Sequence, residues 1–224
     1  MSSPVFEGLR TAMSMEEFWD AVGRQLRNPR GMAGRLIGNV MGLINRVPNA
    51  AAIRALAIRE DDHVLEIGFG PGCALKALAK LAPRGKVTGV DVSPVMVRQA
   101  SARNRRALAE GRMELVLAPY EKLPLADHTV DRILAVNVAY FFDADGIVLS
   151  ELRRVLRPGG KLVLYVTDRI SMARWKFAGA KTHRTFDAAE LRKFLQGGTF
   201  AESSVTVSQI QLPLGVAGLL AEIT

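Results

Sequence analysis

The stretch "HVLEIGFGPGC", His63 to Cys73, decides how this chain is read. A short apolar run ends in three glycines at alternate positions, Gly68, Gly70 and Gly72. Such a run has the pattern of a buried strand. Glycines directly behind it let backbone approach a ligand closely, because no Cβ stands in the way. A helix that starts just past the loop would aim free N–H groups and the positive end of its dipole at the same point. The glycines alone admit a nicotinamide dinucleotide, a phosphate or a sulfonium cofactor.

Outward from this loop the chain alternates. "KVTGVD", "MELVL", "DRILAVN" and "KLVLYVT" read as four further strands. Helical segments are expected between them at Ala74–Leu81, at Val95–Ala109 behind a Ser93–Pro94 cap, and at Ala144–Leu156 before an "RPGG" turn at 157–160. Alternation of this kind predicts a parallel, doubly wound sheet. The tail departs from it. Asp187 and Glu190 cap a helix over Ala188–Leu195, and then "ESSVTVSQIQL" and "GVAGLLAEI" meet at a short turn around Pro213. A turn that short requires an antiparallel pair. The expected fold is therefore α/β, a doubly wound, mostly parallel seven-stranded sheet with the last strand antiparallel.

Ahead of the sheet, residues 1–13 read as loose. Ser14 with Glu17 forms a capping-box signature for a helix through Leu26, which Pro29 ends. A second helix is expected over Met32–Val47 and a third over Asn49–Ile58. In the second, Leu36, Val40, Leu43 and Val47 form an apolar stripe, while Gly34, Gly38 and Gly42 share another face that lets a neighbouring backbone come close. Tight packing over the cofactor mouth is the expectation for those glycines. Two units follow: an N-terminal helical extension or lid, 1–60, and a cofactor-binding domain, 61–224.

Two carboxylates narrow the choice of ligand. Glu66 stands two residues before Gly68, where an anion repels a pyrophosphate and suits a positively charged group. Asp91 closes the second strand, where a carboxylate can accept hydrogen bonds from ribose hydroxyls. The dinucleotide pattern G-x-G-x-x-G would want glycine at position 73, and the chain has Cys73 there. A nucleoside with a cationic amino-acid tail satisfies all three observations. S-adenosyl-L-methionine is such a molecule, and a nicotinamide oxidoreductase is the reading opposed.

Taken in order, "VLEIGFGPG", "VTGVDVS", "YEKLPLADHTVDRILAVN" and "LRRVLRPGGKLVLYV" resemble the successive motifs of class I S-adenosylmethionine-dependent methyltransferases. They are most similar to the small-molecule branch that includes the ubiquinone and menaquinone biosynthesis enzymes. The resemblance spans about residues 61–200 and implies a Rossmann-like fold. It also implies that Glu66 meets the methionine amino group, and that Gly68, Gly70 and Gly72 line the methionine and ribose. Asp91 would hold the ribose hydroxyls, Val92 would pack on the adenine, and Tyr120 would contribute a backbone contact nearby. Asn137 would line the boundary between cofactor and substrate. Pro119 departs from the family, which often has an acidic residue there to reach the adenine amino group.

Methyl transfer from a sulfonium needs alignment and desolvation before it needs acid or base. A base is required only for a protonated nucleophile. Tyr140 and His183 are the candidates. Tyr140 lies three residues after Asn137, the offset of the N-P-P-[YF] motif without its prolines, and the aromatics of "NVAYFF" form a substrate wall or pack the next helix. His183 lies in the long connection 168–186, which together with Trp175 suits a lid over substrate; an exposed histidine without a role is its plainer reading. Met13, Met15, Met32 and Met41 are explained equally by an adaptable apolar surface and by packing of the N-terminal helices.

Composition sets outer limits. A single cysteine, Cys73, excludes a disulfide framework and a cysteine-based zinc site, and no metal is expected. "MSSPVFEGLR" lacks the basic start and apolar core of a signal peptide, so a cytoplasmic location is the expectation. The net charge is +8, and residues 21–59 hold seven arginines and no acid. That favours anionic partners or simply a solvated surface. The expected partner is a small molecule, anionic or aromatic, with peripheral membrane contact and a homodimer as further possibilities and no nucleic acid. The alternatives to a small-molecule methyltransferase are a membrane-associated enzyme acting on a phospholipid headgroup or quinone, an RNA or protein methyltransferase, and a non-catalytic S-adenosylmethionine-binding module.

Overall fold

The computed structural model describes residues 14–178, 182–197, 200 and 204–224. The expectation of a loose segment over 1–13 lies outside these residues, as do Met13 and positions 179–181 of the long connection.

Five strands follow the alternation read from the sequence: β1 His63–Ile67, β2 Lys86–Asp91, β3 Met113–Leu117, β4 Val130–Val136 and β5 Leu156–Thr167. β6 Val205–Leu212 and β7 Val216–Ile223 complete one seven-stranded sheet, in the order β3-β2-β1-β4-β5-β7-β6. β7 is antiparallel to both β5 and β6, so the reversed strand is the last in the chain but lies one place inside the edge. The chain leaves β1 toward β2 and β3, then returns to β4 on β1's other side. The crevice where it turns back, above the carboxyl ends of β1 and β4, is where such sheets bind ligands.

Alternation along each strand feeds two cores. Leu65, Ile67, Ile133 and Ala135 point to one face, under α7 (Ile147–Val155) and α9 (Ala188–Gln196). Val64, Leu134, Val136 and Tyr165 point to the other, under α3 (Arg46–Leu56), α4 (Cys73–Leu81) and α5 (Pro94–Arg103). Both faces are covered, which is why these strands read as nearly continuous apolar runs. α3 packs directly on the sheet through the fully buried Ala52 and Leu56.

Both capping boxes form as read. Ser14 with Glu17 opens α1 (Met15–Arg27), and Asp187 with Glu190 opens α9. Ser93 caps α5, and its hydroxyl also donates to the Pro29 carbonyl at 2.6 Å, which ties the N-terminal helices to the domain. Three elements differ from the sequence reading. The helix expected over 95–109 breaks at Asn104, whose amide donates to the carbonyls of Ala100 and Gly72 and so joins the helix to the glycine loop; α6 (Arg105–Ala109) follows. α7 begins at Ile147 and not at 144, because the Asp143 carboxylate accepts from the N–H groups of Ile147 and Val148. The "RPGG" run lies within β5, as an irregularity between the pairs Val130–Leu156 and Arg132–Lys161.

The largest difference concerns α2 (Gly31–Ile44). It ends at Ile44, so Val47 of the expected stripe falls in α3; its glycine face is buried, as expected, while Leu36, Val40 and Leu43 face outward. Gly38 packs on Met96 and Gln99 of α5, and Gly42 packs on Cys73 and Pro71 of the glycine loop. Small residues win the inward face here because only they let the helix axis come this close. Met15 and Met32 are exposed, so packing does not explain them, whereas Met41 lines the site. Among the described residues no helix is long and apolar enough to cross a membrane.

Candidate active site

The glycine loop leaves β1 above the crevice. Gly68, Gly70 and Gly72 all have positive φ, a region that L side chains rarely adopt. Gly70 is the telling one. A Cβ built there would meet nothing within 4 Å, so it would project into open cleft. Packing does not require glycine at that place; the positive φ does, and the open space before it leaves room for a ligand to approach the backbone.

Asp91 organises the loop. Its carboxylate accepts from the Gly70 N–H at 2.9 Å and from the Ser93 N–H at 2.8 Å. Burial pushes its pKa up to about 6, against the lowering effect of the Ser93, Gly70 and Val92 N–H groups. Glu66 is buried beside it, with Oε2 lacking a hydrogen-bond partner. Burial, reinforced by the Asp91 charge, pushes the Glu66 carboxyl well above the usual carboxylate range. Two buried carboxylates with one oxygen unpartnered form a site in deficit of positive charge. A cationic ammonium group corrects that deficit and a pyrophosphate worsens it, so the residues present fit S-adenosylmethionine.

Of the other residues named from the sequence, Tyr120 and Asn137 line the same cleft, Tyr140 and His183 line the neighbouring cavity, and Gly72, packed on Ala100 and Asn104, and Val92 line neither. Val92 follows Asp91 and packs half-buried against the core. Tyr120 is buried, and its side chain forms the cleft wall beside Asp91 and Gly68. Asn137 directly follows β4, with φ +54°. Its amide donates to Asn45 Oδ1 at 2.9 Å, and its Oδ1 accepts from the Tyr140 hydroxyl at 2.7 Å. The Tyr140 oxygen in turn accepts from the Thr167 N–H at 2.6 Å. Burial raises the pKa of Tyr140, so it stays a neutral phenol that spends its proton on Asn137.

His183 is buried and not exposed. Its ring lies 4.9 Å from that of Phe141 and 5.7 Å from that of Tyr140, centre to centre, and Nδ1 is 2.9 Å from Thr182 Oγ1. Burial first, then the Arg27 charge, lowers its pKa to about 4, which leaves a neutral imidazole at physiological pH.

Two spaces meet here. The cofactor-side cleft is lined by Glu66, Gly68, Gly70, Asp91 and Tyr120 and has about 40 Å³ of open space. Beside it lies an apolar cavity of about 560 Å³, lined by Tyr140, Thr167, Met172, Trp175, Phe177 and His183 among others. Leu26, Met41, Asn45, Asn137 and Phe141 line both. Asn45 and the other N-terminal wall residues were missed in the sequence. The available signal was Asn45, followed by Arg46, interrupting the apolar stretch between Val40 and Val47.

Residues 65–164 match the family model described as a methyltransferase domain. The ubiquinone/menaquinone biosynthesis C-methyltransferase UbiE of Syntrophotalea carbinolica is 37% identical over 122 residues, which cover 54% of this chain and 50% of that protein. The Bacillus subtilis methyltransferase YdaC is 29% identical over 134 residues, 60% of this chain and 72% of that one. The chain spans about half the length of the UbiE relatives from Syntrophotalea carbinolica, Bordetella avium and Paracoccus denitrificans, at 50%, 50% and 55% of each. Among solved structures, a chain in the complex between the Haloferax volcanii Trm112 methyltransferase activator and its methyltransferase superposes with a TM-score of 0.71. That match covers 86% of this chain and 94% of the other at 20% identity, a likeness of fold.

Proposed function

We propose that this chain, whose residues 65–164 match a methyltransferase-domain model, is an S-adenosylmethionine-dependent methyltransferase that moves the cofactor's methyl group onto an apolar small molecule held in the cavity between β4, β5 and the N-terminal helices. The observation that carries this reading is the shared wall. Asn137, Phe141, Met41 and Asn45 border both spaces, so an acceptor in the large cavity lies next to the methyl donor.

S-adenosylmethionine supplies an activated methyl group and its own leaving group; this chain's residues bind, orient and exclude water. Glu66 would hold the ammonium group, Asp91 the ribose hydroxyls, and the three glycines would carry the backbone close to both. Val92 and Tyr120 would flank the adenosine. Asn137, fixed between Asn45 and Tyr140, would set the position of the boundary. Tyr140 acts in this reading as a positioning residue. His183, a neutral imidazole on the cavity wall, is placed to take a proton from an acceptor that arrives protonated, although burial, which lowers its pKa to about 4, makes it a weak base.

The N-terminal helices form the cover. Open space at the cleft is well below the roughly 300 Å³ at the lower end of ligand sites. Admission of the cofactor therefore calls for a wider cleft, and α1 and α2, which bring Leu26, Arg27 and Met41 to it, are the elements proposed to move aside.

Cofactor affinity should follow the Asp91 ionisation. The carboxylate with its pKa raised to about 6 must be charged in the complex. Protonation of the free protein therefore opposes binding as the pH falls. Affinity for S-adenosylhomocysteine is expected to be level above pH 7 and about tenfold lower at pH 5. Titration calorimetry across that range checks it. For the acceptor, the decisive experiment is a screen with methyl-labelled S-adenosylmethionine against paired acceptors that share one nucleophile and differ in an apolar tail. Labelling of the apolar members supports the reading. Labelling confined to the polar members overturns it.

A further inference from the structure

α2 wears its amphipathic faces reversed. Its buried side is Gly34, Gly38 and Gly42. At about 100° per residue, Met32, Leu36, Val40 and Leu43 share the opposite side, and they are 87%, 67%, 48% and 69% exposed. A surface helix of a protein surrounded by water turns such a stripe to the core. A contiguous exposed stripe marks an interaction site.

A second observation, from charge, says what the stripe meets. Alongside it runs a groove between α2 and α5, lined by Arg35, Arg98 and Arg103 with Asn39 and Gln99. Among the described residues, no ion pair uses any of these three arginines. The sequence from 21 to 59 supplies no acid to neutralise them. Arg103 donates to Cys73 Sγ at 3.2 Å, and among the described residues no carboxylate neutralises any of the three. An apolar ridge flanked by guanidinium groups without a carboxylate partner is complementary to a bilayer with anionic headgroups: the ridge enters the acyl boundary, and the arginines meet phosphate. A second copy of the chain fits less well, because a two-fold contact through this helix would bring arginine-lined grooves together.

We propose that α2, together with Arg98 and Arg103 of α5, docks this protein on an anionic lipid surface. The ridge continues through Leu43, Ile44 and Val47, which also line the apolar cavity. Docking would therefore set the mouth of that cavity against the lipid. The surface and its test are independent of methyl transfer.

The experiment is co-sedimentation of the full chain with vesicles of phosphatidylcholine alone and of phosphatidylcholine with phosphatidylglycerol. Binding is expected on the anionic vesicles only, and it should weaken as salt is raised. The double variant L36E/V40E, whose positions line neither space of the site, should lose at least about tenfold in vesicle binding. R35E/R98E should lose about as much or more. Both variants should bind S-adenosylhomocysteine as the parent does, and that measurement separates a docking defect from misfolding. Absence of sedimentation with anionic vesicles by a parent that binds S-adenosylhomocysteine would overturn the proposal. So would vesicle binding undiminished in both variants. A shift from dimer to monomer in L36E/V40E, with no vesicle binding by the parent, would assign the ridge to a second copy instead.

Discussion

Asp91→Ala should lower the affinity for S-adenosylhomocysteine by about 100-fold or more. The carboxylate does two jobs in the proposed complex. It holds the Gly70 and Ser93 N–H groups, and thereby the loop, and it is the acceptor offered to the ribose. Hydrogen bonds to a charged group contribute about 1.5–3 kcal/mol each, and about 1.4 kcal/mol is a factor of ten. Loss of two such bonds is enough for the expected drop. Asp91→Asn separates binding from folding. The native carboxyl, with its pKa raised to about 6, is held above the unfolded value of 3.8. Stability from this group is therefore fully present below pH 3.8 and declines as pH rises through about 6. At pH 7 the neutral amide removes a disfavoured buried charge. The amide keeps one acceptor oxygen for the two N–H groups, which offsets that relief, so Asp91→Asn should melt within a few degrees of the parent while binding the cofactor far more weakly. A parallel fall in melting temperature and affinity would assign Asp91 to the fold.

Asn137→Ala should be the most damaging single change at the boundary between the two spaces. It strands the buried Tyr140 hydroxyl proton and removes the donor to the half-buried Asn45 Oδ1. An unpartnered buried polar group costs about 1–3 kcal/mol. It also places alanine at φ +54°, which adds about 1 kcal/mol of backbone strain. For a chain of this size the sum lowers the melting temperature by roughly 10 °C. Asn137→Gly removes the strain and keeps the lost bonds, so it should recover about a third of the drop. For an acceptor found by the screen, kcat should fall about 100-fold in both variants, because misplacement by about 1 Å at a reacting boundary is that costly. S-adenosylhomocysteine affinity should change only a few-fold. A large loss of cofactor affinity with kcat preserved would move Asn137 out of the boundary and into the cofactor site.

The sequence disclosed the sheet and the cofactor loop for one physical reason. Strands covered on both faces are short apolar runs, and the loop after β1 needs glycine where backbone meets ligand. Glu66 and Asp91 were legible because a carboxylate at the end of a buried strand demands a partner. The rest depended on contacts between distant segments. α2 carries two helical-period patterns at once, glycines and large apolar residues, and periodicity cannot choose which faces inward. The choice is made by α5 and the glycine loop, which accept only the small face. His183 sits in a polar local sequence, yet Phe141 and Phe177 bury it. Asn45 finds Asn137 from 92 positions away, and nothing near either residue announces the pair.

The proposed ligand of the Glu66–Asp91 floor is a nucleoside with a cationic amino-acid tail, and every assigned role depends on that identity. Titration calorimetry of the full chain with S-adenosylhomocysteine and, separately, with NAD tests that identity directly. Saturable binding of S-adenosylhomocysteine near neutral pH, with no heat from NAD, is the expected result. Tight NAD binding by a folded chain that ignores S-adenosylhomocysteine would contradict it.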